Sequence, residues 1–303
     1  MRWLFLLVFC LLFAAPLAAA DKDFTRQEDI VYGRKHGLAL TLDAFTPTDK
    51  TNGAAVIWIV SGGWHSSHDA IRPDFIKEFL ERGYTVFAVV HGSQPKFTIP
   101  EAVADVQRSV RFIRHNAERF KIDPQRIGVM GASAGGHLSL MLGTTGTDGD
   151  PQARDPVERV SSRVQAVACF FPPTDFLNYG EEGKEALGSG TLDGFRPPFD
   201  FNELDPKTRK YERITDATRR REIGKKISPV NQVSADDAPA LIIHGDADKL
   251  VPMQQAEIFV DKYKEAGLIA ELVVKPNAAH GWPMLLGDLK TLADWFDKHL
   301  AEK

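Results

Sequence analysis

The chain has 303 residues and a formal net charge of −4, with basic and acidic side chains interspersed along its length. That length predicts one large domain or two small ones with ample chain for a buried core, and the lack of a basic stripe argues against a nucleic-acid binder. No internal repeat or low-complexity segment is visible.

The first segment differs in kind from the rest. Arg2 precedes an apolar run from Trp3 to Leu17, followed by Ala18-Ala19-Ala20 and the charged Asp21-Lys22-Asp23. A short positive region, an apolar core and a small-residue cleavage site predict a secretory signal over residues 1–20, cut after Ala20. The expected location is secreted or periplasmic, with residues 21–303 forming a single domain. The run is shorter than the ~20 apolar residues of a spanning helix, so no stable membrane insertion is expected after cleavage. Cleavage removes Cys10 and leaves Cys169 alone, so packing rather than an internal disulfide must hold the fold. Cys169 lies in the apolar run Val164–Phe170 and reads as a small buried hydrophobe.

Next, Ile30–Gly33 and Leu38–Phe45 read as a hairpin around Gly37, with period-two alternation in the second strand. A strand over Ala54–Val60, a helix near Ala70–Arg82 and a strand over Tyr84–Val90 follow. The spacing of Val103, Val106, Val110, Ile113 and Ala117 predicts an amphipathic helix from Pro100 to Phe120. Then come a strand at Ile127–Met130, a helix-like run over Gly136–Leu142 and a strand at Val164–Phe171. Residues 172–237 are rich in charge, proline and aromatics and show no clean period. The rhythm resumes with a strand at Ala240–His244, a helix from about Met253 to Ala266, a strand at Ala270–Lys275 and a helix near Trp282–Leu300. Apolar strands alternating with amphipathic helices imply an α/β fold with a mostly parallel twisted sheet covered on both faces. Reactive groups in such sheets gather in loops at the C-terminal strand ends.

Gly131-Ala132-Ser133-Ala134-Gly135 stands between a strand and a helix, where a sharp turn pushes a serine hydroxyl clear of the backbone. A serine needs an adjacent base, and the base needs an orienting anion. Two later strand ends supply them: His244-Gly-Asp246-Ala-Asp248-Lys-Leu-Val-Pro252 and Asn277-Ala-Ala-His280-Gly-Trp282. His280 is placed best as the base, while the residues alone leave Asp246 and Asp248 both open as the acid. Backbone N–H groups must meet the oxyanion of acyl transfer. Ala134, after the serine, is one candidate donor; Gly62 and Gly63 in the loop Ser61-Gly62-Gly63-Trp64 are the others. His65 and His68 lack evident third and fourth metal ligands, and neither a metal nor an organic cofactor is expected.

With these residues in view, the chain resembles the α/β-hydrolases. More narrowly it is similar to secreted esterases of the bifunctional tannase/feruloyl-esterase type, to hormone-sensitive-lipase-like esterases and to the catalytic domain of prolyl-oligopeptidase-type peptidases. The resemblance covers roughly Leu38 to Leu300 and rests on Lys121–Leu138 and His244–Pro252. It implies a triad of Ser133, Asp248 and His280, the acid being the aspartate before x-x-Val-Pro. It also implies that residues 172–237 form an irregular cap insertion over the strand ends. Two departures stand out: Val60-Ser61 replace the usual His-Gly before Gly62-Gly63-Trp64, and His91-Gly-Ser93 replaces a common Tyr-Arg pattern. Trp64, His91 and Asp175 are candidate substrate-pocket residues, with a structural brace the preferred reading of His91. Phe195, Phe199, Phe201 and Tyr211 either wall the pocket or form the cap's own core. The expected activity is hydrolysis of small or carbohydrate-linked carboxylic esters. A prolyl-oligopeptidase-type peptidase and a non-catalytic hydrolase-fold binding protein are the alternatives.

Overall fold

The computed structural model describes residues 23–283 and 285–301. The predicted signal over residues 1–20, with Cys10 and the cleavage point after Ala20, lies outside the described residues. The strands are β1 (Phe24–Lys35), β2 (Leu38–Pro47), β3 (Ala55–Ile59), β4 (Thr85–Val90), β5 (Ile127–Ala132), β6 (Ala166–Phe170), β7 (Asn202–Leu204), β8 (Tyr211–Arg213), β9 (Ala240–Gly245) and β10 (Ala270–Lys275). The helices are α1 (Lys77–Glu81), α2 (Ile99–His115), α3 (Ala117–Phe120), α4 (Ala134–Thr145), α5 (Ala217–Lys226), α6 (Gln254–Glu265) and α7 (Leu289–His299).

Eight strands form one sheet in the order β1-β2-β4-β3-β5-β6-β9-β10. The β1–β2 and β2–β4 pairings are antiparallel, and every later pairing in this sheet is parallel. Successive side chains of a strand point to opposite faces, so a strand buried on both sides must be apolar throughout. In β3, Ile57 and Ile59 enter the core that holds α2, α4 and α6, while Val56 and Trp58 enter the core that holds α1 and α7. Ile242 and Ile243 of β9 divide in the same way. The predicted stripe Val103, Val106, Val110, Ile113 and Ala117 is buried in the first of these cores.

Three helix boundaries differ from the expected ones. The stretch expected as one helix over Ala70–Arg82 is two short 3-10 turns, His68–Ala70 and Pro73–Phe75, followed by the five-residue α1. Pro73 has no N–H to give and restricts the residue before it, so no continuous helix crosses it. The long helix stops at His115, where Asn116 gives its side-chain amide to Phe112 O, and α3 follows as a separate turn. Its start is fixed by a reciprocal capping box between Thr98 and Glu101. The last helix begins at Leu289 rather than near Trp282.

Residues 172–237 carry the small β7–β8 hairpin, α5 and several 3-10 turns. Phe199 and Phe201 are buried there, and Phe199 packs edge-on to Trp64 and Phe176. Tyr211 is 57% exposed.

Candidate active site

Ser133, Ala134, Asp248, His280, Gly62, Gly63, Trp64, His91 and Asp175 each lie within five residues after the C-terminal end of a strand. Ser133 ends β5 in a strained conformation, φ 54° and ψ −119°, and starts α4. The flanking glycines make that turn possible by close approach. A Cβ on Gly131 would fall 2.4 Å from the backbone of Gly135, and one on Gly135 would fall 2.6 Å from Ile59 O. No side chain fits at either position.

Ser133 Oγ lies 3.0 Å from His280 Nε2, and His280 Nδ1 lies 2.7 Å from Asp248 Oδ2. The structure therefore brings together a hydroxyl, an imidazole and a carboxylate from β5, β10 and β9. The other oxygen of Asp248, Oδ1, accepts the N–H groups of Leu250 and Val251, both at 2.9 Å. Burial pushes the Asp248 carboxyl up; the bonds from His280 and from these N–H groups outweigh it, so the group is held below the ordinary carboxylate value. An anion beside Nδ1 fixes the imidazole with Nδ1–H toward Asp248, leaving Nε2 to accept from the serine.

Asp246 stays outside this chain. It is exposed, and its Oδ1 accepts the Asn277 N–H at 2.6 Å. Together with the bond from Ala247 N–H to Ala278 O, it stitches the acid-bearing loop to the loop that carries His280. Asp288 holds the far end of the His280 loop, accepting Trp282 Nε1–H and Lys275 Nζ at 2.7 Å each. His244 is buried and gives Nε2–H to Val251 O at 2.8 Å, which steadies the turn around Asp248.

The loop after β3 corrects one expectation. Gly62 N–H donates to His65 O at 3.0 Å, and His65 N–H returns to Gly62 O at 2.9 Å. Gly62 is therefore not a free donor. Among the described residues Gly63 and Ala134 have no protein acceptor for their N–H groups, and Gly63 lines a small cavity with Ser133. Gly63 has φ 55° and Trp64 φ 60°, a left-handed pair that turns the chain sharply.

His91 takes the preferred of its two readings, the brace. It is 2% exposed and does not face the cavity. Its Nδ1 lies 3.0 Å from Gly92 O and its Nε2 2.9 Å from Ser61 Oγ. The imidazole thus braces the loop from beneath, reaching Ser61 at the position where the resembled esterases carry a glycine. Gly92 N–H is in turn held by Asp105 Oδ2 at 2.8 Å. Asp175 is a second correction. It is 5% exposed, its Oδ1 accepts Leu177 N–H and its Oδ2 accepts the Asn178 side chain, so it builds a turn rather than the pocket rim. Trp64 does line the cavity, and its Nε1–H donates to His137 Nδ1 at 3.2 Å.

Two contacts escaped the sequence reading. Phe171, φ 35°, lies with its ring 4.4 Å from the His280 imidazole and packs on Trp282 at 5.4 Å. Leu192 lines the cavity at Ser133 beside Phe195, one of the aromatics expected either to wall the pocket or to pack within residues 172–237. Only the position of Phe171 directly after a core strand could have pointed to it.

Among the described residues, one group of His and carboxylate side chains clusters away from this site: Asp29, Asp43 and His68. Both oxygens of Asp43 already have partners, Oδ2 in Arg26 at 2.6 and 2.9 Å and Oδ1 in the Asp29 N–H at 3.0 Å. His68 lies 3.4 Å from Asp43 Oδ1 and 2.6 Å from Thr41 Oγ1. The cluster ties the segment after Trp64 to β2, and His65 is not part of it. No described helix is long and apolar enough to cross a membrane.

Comparison with known proteins agrees with this architecture. The family described as BD-FAE matches residues 42–263. The chain is similar to the probable carboxylic ester hydrolase LipM of Mycobacterium tuberculosis, 29% identical over 273 residues that cover 87% of this chain and 58% of LipM. It thus spans little more than half of that curated relative. Among solved structures it is similar to a truncated carbohydrate esterase from gut microbiota, at 27% identity and TM-score 0.74, covering 93% of this chain and 98% of that one. A thermophilic esterase of Thermogutta terrifontis superposes with TM-score 0.68 at 25% identity, covering 89% and 91% of the two chains. The fold is that of the α/β-hydrolases.

Proposed function

We propose, because the chain belongs to the BD-FAE family, that it is a serine carboxylic-ester hydrolase acting on small or carbohydrate-linked esters. The observation that carries this reading is the hydrogen-bonded series from Asp248 through His280 to Ser133, at 2.7 and 3.0 Å. Ser133 Oγ attacks the ester carbonyl as His280 Nε2 takes its proton, and Asp248 stabilises the imidazolium that forms. The N–H groups of Gly63 and Ala134 receive the oxyanion. His280 then protonates the departing alcohol, and water, deprotonated by the same imidazole, releases the acid from Ser133. The names of LipM and of the gut-microbiota carbohydrate esterase support the ester and carbohydrate parts of the reading. Export through the segment 1–20 accords with a substrate met outside the cytoplasm.

The test is labelling with a fluorophosphonate probe alongside hydrolysis of p-nitrophenyl acetate and an aminoacyl-nitroanilide. The expected result is one adduct on Ser133, ester turnover that exceeds amide turnover, and loss of both signals in Ser133→Ala. Asp248→Asn should keep the fold and lower kcat by about 10³–10⁴-fold. An unlabelled Ser133 in the folded protein would overturn the proposal. Faster turnover of the anilide than of the ester would turn it toward a peptidase.

A further inference from the structure

We infer that the cavity beside Ser133 receives the acyl chain of the ester and that Phe195 closes it at acetyl length. This rests on the reading of Ser133 as nucleophile. A carbonyl carbon bonded to Ser133 Oγ has three other substituents. Its oxygen turns to the N–H groups of Gly63 and Ala134, and its leaving oxygen must lie beside His280 Nε2 to be protonated. The acyl chain takes the remaining direction. The cavity that contains Ser133 and Gly63 does not have His280 among its described lining residues, so it lies on the acyl side.

Its walls are apolar. Trp64, Pro173, Leu250 and Val251 line it, together with Leu192 and Phe195 from residues 172–237. Tyr179 also lines it, but its hydroxyl is spent on Leu250 O at 2.9 Å, so the cavity offers no phenolic donor to a hydroxylated acyl group. The free space within it is about 20 Å³, about enough for one water, and a methyl group is of similar size. Phe195 sets that limit. Its ring rests on the loop so closely that a Cβ on Gly63 would fall 2.6 Å from its Cδ1 and Cε1. Longer or aromatic acyl chains meet this ring before the carbonyl reaches Ser133. The substrate class this assigns is acetyl esters.

The experiment measures kcat/KM for p-nitrophenyl acetate, butyrate and hexanoate in the wild type, Phe195→Ala, Phe195→Leu and Leu192→Ala. In the wild type the value is expected to fall about tenfold or more from acetate to butyrate. Phe195→Ala should raise the butyrate-to-acetate ratio about tenfold, and Leu192→Ala should raise it less. Phe195→Leu gives an intermediate ratio and keeps the test alive if the alanine variant does not fold. Equal turnover of hexanoate and acetate by the wild type, or an unchanged ratio in both Phe195 variants, overturns the inference. The fluorophosphonate adduct on Ser133 separates the two readings. Its absence removes the hydrolase proposal, whereas its presence with unchanged ratios removes only the role given to Phe195.

Discussion

At the scale of single residues, burial lowers the His91 pKa to about 4, so the imidazole is neutral near pH 7, with one nitrogen to donate and one to accept. Gly92 O takes the Nδ1–H, which leaves Nε2 to accept the hydroxyl of Ser61. That bond ties the loop proposed to hold the oxyanion to the end of β4. A misplacement near 1 Å of groups that act only in the transition state lowers kcat more than it alters KM. His91→Phe keeps the bulk and removes the bond, and is expected to cost about tenfold or more in kcat with little change in KM. His91→Asn should recover part of the loss, and steady-state kinetics of the two variants checks it. Ser133, His280 and Asp248 were legible because each sits in a short motif beside a strand, and the resemblance chose between Asp246 and Asp248. The Ser61–His91 bond spans 30 positions, and the Gly62–His65 bridge depends on the path of one turn. Neither leaves a mark in spacing, which is why Gly62 read as a donor and why nothing in the chain named Ser61 as the partner that His91 braces.

At the scale of elements, His137 joins three of them. It stands on α4, accepts Trp64 Nε1–H from the loop after β3 and gives Nε2–H to Ile227 O at the end of α5, 2.7 Å away. Burial lowers its pKa to about 4 as well. Unfolded histidine titrates near 6.5, so between about pH 6.5 and 4 the unfolded chain binds protons that His91 and His137 refuse in the fold. Stability is therefore fully present above about pH 6.5 and falls as the pH drops toward 4, by roughly 3 kcal/mol for each histidine. Thermal unfolding between pH 7.5 and 4.5 should show this fall. His137→Gln should lower Tm at neutral pH and flatten the slope; a slope equal to that of the wild type would contradict the account. Strands were the most legible elements, since β3, β5, β6 and β9 are buried on both faces and must be apolar runs. Helix ends were less so, because Pro73 and Asn116 act through backbone bonds that periodicity ignores. The cap was least legible. Phe195, Phe199 and Tyr211 look alike in the chain, yet they respectively line the cavity, fill a core and face solvent.

At the scale of the whole molecule, two apolar cores on opposite faces of one sheet hold the fold. Cys169 is the one described cysteine, buried and unpaired, with burial pushing its thiol well above the usual range. The described fold therefore draws no stability from a disulfide. The export proposed for it predicts a processed protein. Intact-mass analysis of material recovered outside the cytoplasm should give a chain that starts at Asp21, and recovery only as unprocessed, membrane-bound chain would overturn that reading.

The turn from Asp248 to Val251 belongs to two structures at once. Its backbone N–H groups hold the carboxylate, and its side chains at Leu250 and Val251 wall the cavity. Remodelling the cavity from that side would disturb the charge that orients His280. Leu192 and Phe195 carry no such double duty. Divergence toward new esters is thus cheap on one wall and costly on the other, and drift in preference among descendants of this chain should be recorded in the Gly190–Phe195 turn while the opposite bank stands still.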